Sequence, residues 1–75
     1  MKREWLADLR KQAKMSQQSV ANIIGISRQY YGFIENGERD PSVNVAKRLG
    51  ELFGFDWTIF YEDKSYKTLR NNNTA

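Results

Sequence analysis

The stretch QQSVANIIGISRQYYGFIENG, from Gln17 to Gly37, decides how the chain folds. Val20, Ala21 and Ile24 recur at i, i+1 and i+4, which puts them on one side of a helix over Gln17 to Ile24. Ser16, just ahead, supplies a capping oxygen for the free N–H groups of the first turn. Gly25 ends the helix, because a residue without a Cβ enters the left-handed region freely. Ser27 caps a second helix over Arg28 to Asn36, and Gly37 stops it by the same rule. The two helices are joined by the three-residue break Gly25-Ile26-Ser27, with Ile26 plugging the corner. Ala21 is small enough for the helices to cross closely. With Tyr31 and Ile34 turned inward, helix geometry turns Arg28, Gln29, Gly32, Phe33 and Asn36 outward as one face, with Tyr30 on its border.

Working outward, residues 3 to 13 read as a helix with Leu6, Leu9 and Ala13 apolar and Trp5 paired to Leu9 at i, i+4. Lys2, Arg3, Asp8, Lys11 and Gln12 mark its wet side. Beyond Gly37, the polar loop Glu38-Arg39-Asp40-Pro41 leads to a helix over Val43 to Phe53, capped by Ser42 or Asp40 and ended by Gly54. Val45, Ala46, Leu49, Leu52 and Phe53 face inward. Asp56 caps a short fifth helix, Trp57 to about Tyr61. From Lys64 the periodicity fails, so residues 64–75 are expected to be a disordered or mobile basic tail. The expectation is an all-α domain over residues 1–63, five short helices and no strand. Two of them are connected at the spacing of a helix-turn-helix.

Seventy-five residues make one small domain. With no Cys and no His, the chain lacks thiol nucleophiles, thiolate metal sites, the commonest general base and the commonest metal ligand. No paired carboxylates stand out, so an enzyme is not expected, nor a cofactor or metal. No apolar run approaches the ~20 residues needed to span a bilayer, and the first residues lack a signal peptide's apolar stretch. A cytoplasmic protein without a membrane partner follows as the expectation. The net charge of +3 is unevenly spread. Residues 1–14 carry five bases against two acids, and residues 64–75 three bases and no acid, while the middle is net negative. Basic ends suit a polyanion partner, although ordinary surface charge explains them equally well.

Ser16-Gln17, Ala21, Gly25-Ile26-Ser27, Ile34-Glu35-Asn36-Gly37, Pro41-Ser42 and Gly54-Phe55-Asp56-Trp57 occur in order along residues 3 to 61. Each is weak alone; the ordered set resembles the Cro/repressor-type (XRE-like) helix-turn-helix DNA-binding family, typified by phage repressors. The resemblance implies a compact five-helix lambda-repressor-like domain. Its third helix would enter the major groove of double-stranded DNA, and a homodimer would straddle two half-sites of a palindromic operator. It also implies an ion pair between Arg10 and Glu35, and a phosphate contact from Gln17 at a helix N-terminus, with Gln18 beside it. The end of such domains often dimerises, which marks Trp57, Phe60 and Tyr61 as interface residues where they are not core.

Arg28 and Gln29 open the third helix, where recognition helices reach base edges. Arg pairs bidentately with guanine and Gln with adenine. Phe33 either meets thymine methyl groups or folds back onto the molecule. Tyr30 either offers its hydroxyl to a phosphate or borders the core. Gly32, inside a helix at a cost of ~1 kcal/mol relative to Ala, allows close backbone approach to DNA or relieves crowding from its neighbours. Asn36 and Arg39 are expected at the phosphate backbone, and Lys47 and Arg48 on a solvated face. The expected function is sequence-specific transcription regulation. The alternative is an antitoxin-like or protein-interaction module, acting through a regulatory protein partner by its aromatic end and basic tail.

Overall fold

Serine opens three of the helices in the same way. The side-chain oxygens of Ser16, Ser27 and Ser42 accept from the backbone N–H of Ser19, Tyr30 and Val45, each satisfying a donor that a helix start leaves unbonded. Gly25, Gly37 and Gly54 end the same three helices at φ of 87°, 79° and 77°. The computed structural model describes residues 1–62. Within them run α1 (Glu4–Gln12), α2 (Gln17–Ile24), α3 (Arg28–Asn36), α4 (Val43–Phe53) and a closing 3-10 helix (Trp57–Tyr61). No strand occurs among the described residues. The expected tail over 64–75 lies outside them.

The core is assembled from one stripe of each helix. Leu6, Val20, Tyr31, Ile34, Leu49 and Phe60 are its largest fully buried side chains. α2 packs most extensively on α3, and Ala21 is fully buried there. At the other end Trp5 meets Phe55 edge-on at 5.0 Å and Phe60 at 5.3 Å. Aromatic pairs at this separation add to what burial alone contributes.

Three expectations need correction. The fifth element is a 3-10 helix, so the architecture is four α-helices plus one tight turn. With three residues per turn, Trp57 and Phe60 fall on one side, and Phe60 is thereby driven into the core while Asp56 still caps the Thr58 N–H at 3.0 Å. Ala13 is exposed and only ends α1, whereas Ala7 is the buried small residue of that helix. Arg3 is buried instead of wet. It precedes α1, so the helical period does not govern where its side chain points.

Candidate nucleic-acid interface

α3 is divided along its length. Tyr31, Ile34 and Glu35 are buried, while Arg28, Gln29 and Asn36 are exposed and Tyr30, Gly32 and Phe33 are half-buried. Because α3 starts straight after the three-residue break, α2 supports it from behind and leaves the other side clear.

One carboxylate holds the arrangement together. Glu35 Oε2 accepts from Arg10 Nε at 2.8 Å and from the Tyr31 hydroxyl at 2.8 Å. Its Oε1 accepts from Arg10 Nη2 at 3.1 Å and from Gln17 Nε2 at 2.9 Å. Arg10 also donates to the Met15 carbonyl at 3.0 Å. So α1, α2 and α3 meet at a single side chain, with Arg10 as the partner that the family resemblance implied. Burial alone would raise the Glu35 pKa. The hydrogen bonds from Arg10, Gln17 and Tyr31, with the Arg10 charge, outweigh that and lower it below the ordinary value. The Tyr31 hydroxyl is pushed well above its ordinary range, first by burial and then by donating to the carboxylate. Among the described residues no buried side-chain N or O lacks a partner, as such a network requires.

The remaining proposed residues distribute as follows. Gln17 spends one amide hydrogen on Glu35, leaving the second for an outside acceptor. Gln18 is exposed and donates to Asn22 Oδ1 at 2.9 Å. The Arg39 guanidinium lies over the half-buried Phe33 ring, its carbon 5.1 Å from the ring centroid. The Tyr30 hydroxyl accepts from the Ser42 N–H at 3.2 Å and keeps its own hydrogen to donate. At the far end Phe60 belongs to the core, Tyr61 donates to the Pro41 carbonyl at 2.8 Å, and Trp57 is half-buried beneath Lys47. Two contributors escape sequence reasoning. Arg48 Nη1 donates to the Ile24 carbonyl at 2.8 Å and so closes the end of α2. Arg3 bonds the end of α3. Both act on backbone carbonyls, which leave no residue-type signal.

Gly32 has no packing reason to lack a side chain: the nearest atom to an added Cβ is Gln17 Oε1 at 4.0 Å. Gly32→Ala should therefore raise stability by about 0.5–1 kcal/mol through the helix interior. Thermal unfolding checks this; a lower melting temperature would restore the crowding explanation.

A helix-turn-helix family model matches residues 6–60. The chain is 49% identical over 75 residues, all of this chain and 99% of the relative, to YqaF, an uncharacterised HTH-type transcriptional regulator of Bacillus subtilis (strain 168). It is 35% identical over 51 residues, 65% of this chain and 77% of the relative, to an uncharacterised HTH-type transcriptional regulator of Methanocaldococcus jannaschii. It is 33% identical over 54 residues, 72% of this chain and 60% of the relative, to the ImmF control region 10 kDa protein of Bacillus phage phi105. No solved structure matches the chain. With its two capped helices, their three-residue connection and a matching family model over most of its length, the chain belongs to the XRE-type helix-turn-helix family of transcriptional regulators.

Proposed function

We propose that the protein is a sequence-specific regulator of phage or prophage type that binds double-stranded DNA as a homodimer, with α3 in the major groove. The observation that carries this reading is the division of α3, with Tyr31, Ile34 and Glu35 anchored, Arg28 and Gln29 exposed and Phe33 half-buried at the border. Arg28 and Gln29 stand at the helix start, where side chains reach base edges. Gly32 lets the backbone come near, and Phe33 offers an apolar surface to thymine methyl groups. Gln17, with its second amide hydrogen and the N-terminus of α2, suits a phosphate, as do Asn36, Arg39 and the Tyr30 hydroxyl. The similarity to a phage control-region protein supports the phage-type role. The second copy would join at the closing 3-10 helix. There Trp57 lines an open groove of about 270 Å³ with Lys47 and Glu51, and Ile59 is exposed.

Selection of duplexes from a random pool tests the whole reading at once. The expected result is a two-fold symmetric consensus with half-sites about 34 Å apart, bound more weakly as salt rises. An unenriched pool would reject it. On the selected duplex, Arg28→Ala should lose about 1–3 kcal/mol of discrimination at one base pair, whereas Gln17→Ala should weaken binding to selected and random duplexes alike. Equal losses for both variants on both duplexes would reject this division of roles. Melting curves run alongside separate out the loss of about 1 kcal/mol expected when Glu35 loses the Gln17 donor.

A further inference from the structure

Four consecutive residues after α3 are each held by a side chain from elsewhere. Arg3 Nη1 donates to the Arg39 carbonyl at 3.1 Å and Nη2 bonds Asp40 Oδ1. The Tyr61 hydroxyl donates to the Pro41 carbonyl, and the Tyr30 hydroxyl accepts from the Ser42 N–H. Arg3 does more than the two tyrosines. Its Nη1 also bonds the Ile34 carbonyl, and its backbone N–H donates to the Glu35 carbonyl at 2.8 Å. Those carbonyls lie in the last turn of α3, where intrahelical donors run out and a cation meets the negative end of the helix dipole. The guanidinium carbon stands 5.2 Å from the Phe60 ring centroid. The chain before Arg3 passes so near α3 that a Cβ on Gly37 would lie 1.7 Å from the Met1 carbonyl oxygen.

We propose that Arg3 is a positioning residue for DNA recognition, holding the loop so that Arg39 reaches back across Phe33. Arg39 leaves the loop at the very residue whose carbonyl Arg3 grips, and its guanidinium covers the half-buried ring on the outward face of α3. The Arg39 N–H is tied separately, to the Phe33 carbonyl at 3.3 Å; without the grip of Arg3 the peptide that follows Arg39 regains its rotations, and a long side chain is less firmly directed to one place. The pair would present the ring toward thymine methyl groups and the cation toward a phosphate. Recognition by this pair rests on the function proposed above; the positioning itself does not.

The test has two arms. Without DNA, proton NMR reads the Arg39 δ-methylene shifts, which the Phe33 ring current displaces; Phe33→Leu gives the unstacked value. Arg3→Gln, measured where near-ultraviolet circular dichroism shows it folded, should move those shifts toward the unstacked value. Unchanged shifts overturn the proposal. Arg3→Lys, which keeps the charge but not the fork of donors, serves if Gln prevents folding. With DNA, the probes are the duplex enriched by the wild-type protein and a scrambled duplex of equal composition. Arg3→Gln should lower the affinity ratio of the two about ten-fold, but less than about two-fold when Arg39→Ala is already present, because residues acting through one another are not additive. Equal reductions in both backgrounds mean that Arg3 acts only through overall stability, and overturn the proposal. A wild-type protein that enriches no duplex rejects the DNA-binding reading instead, and the NMR arm then decides the positioning by itself.

Discussion

In urea at neutral pH, Glu35→Ala is expected to lose about 3–5 kcal/mol of unfolding free energy, because it leaves the charge of Arg10 without its partner in a largely buried place. Arg10 loses two bonds to the carboxylate, and Tyr31 and Gln17 lose one each. A chain of this length has a total stability of roughly 4–11 kcal/mol, so this loss removes between about a quarter and all of it. The pH dependence should change as well. Folding lowers the Glu35 pKa from an ordinary value of 4.5. The stabilisation is therefore complete above about 4.5 and drains away as the pH falls through the lower folded value. In the alanine variant this acid limb is shallower by one group. A loss below about 1.5 kcal/mol, or an unaltered acid limb, would mean that Glu35 does not join the helices in solution.

Phe60→Ala should lose a comparable 3–5 kcal/mol, by removing a fully buried ring and leaving a cavity. Phe60 is 1% exposed and contacts Trp5, Phe55 and the Arg3 guanidinium. The element that carries it is only five residues long, and its few i→i+3 bonds are too short a ladder to stand alone. Its docking thus depends on this ring, and losing the ring should free the whole end of the chain. Ile59, exposed beside it, provides the control: at a protein concentration low enough to keep the chain monomeric, Ile59→Ala should stay within about 0.5 kcal/mol of the parent. Melting followed by circular dichroism compares the two. Similar losses would mean that the turn is docked by its surface as a whole, and not by Phe60.

The helices from Gln17 to Phe53 were legible because their limits are local chemistry. A serine oxygen three residues before a free N–H, and a glycine where φ must turn positive, act within a few residues and leave their mark in the sequence. The division of α3 followed from the same period, once Tyr31 and Ile34 were assigned to the inside. The closing turn was legible as an element but not as a 3-10 helix. Its winding is settled by how far Phe60 must reach into a core built by distant residues. Arg3 was assigned to the wet side because charged residues are rarely buried, and its acceptors are carbonyls 31 and 36 residues further along. For Gln17 and Phe33 the positions were legible but their neighbours were not, since Glu35 and Arg39 reach them only after folding.

The pinned loop has a consequence for the lifetime of the molecule. Arg39-Asp40 is the kind of bond a trypsin-like protease cuts, and such an enzyme must draw several residues into an extended form within its cleft. Here the neighbouring residues are tied to Arg3, Tyr61 and Tyr30. Nicking at this bond thus waits for those ties to part: where reclosing is faster than cleavage, degradation follows the fraction of molecules open, and only at high protease does it follow the rate of opening itself.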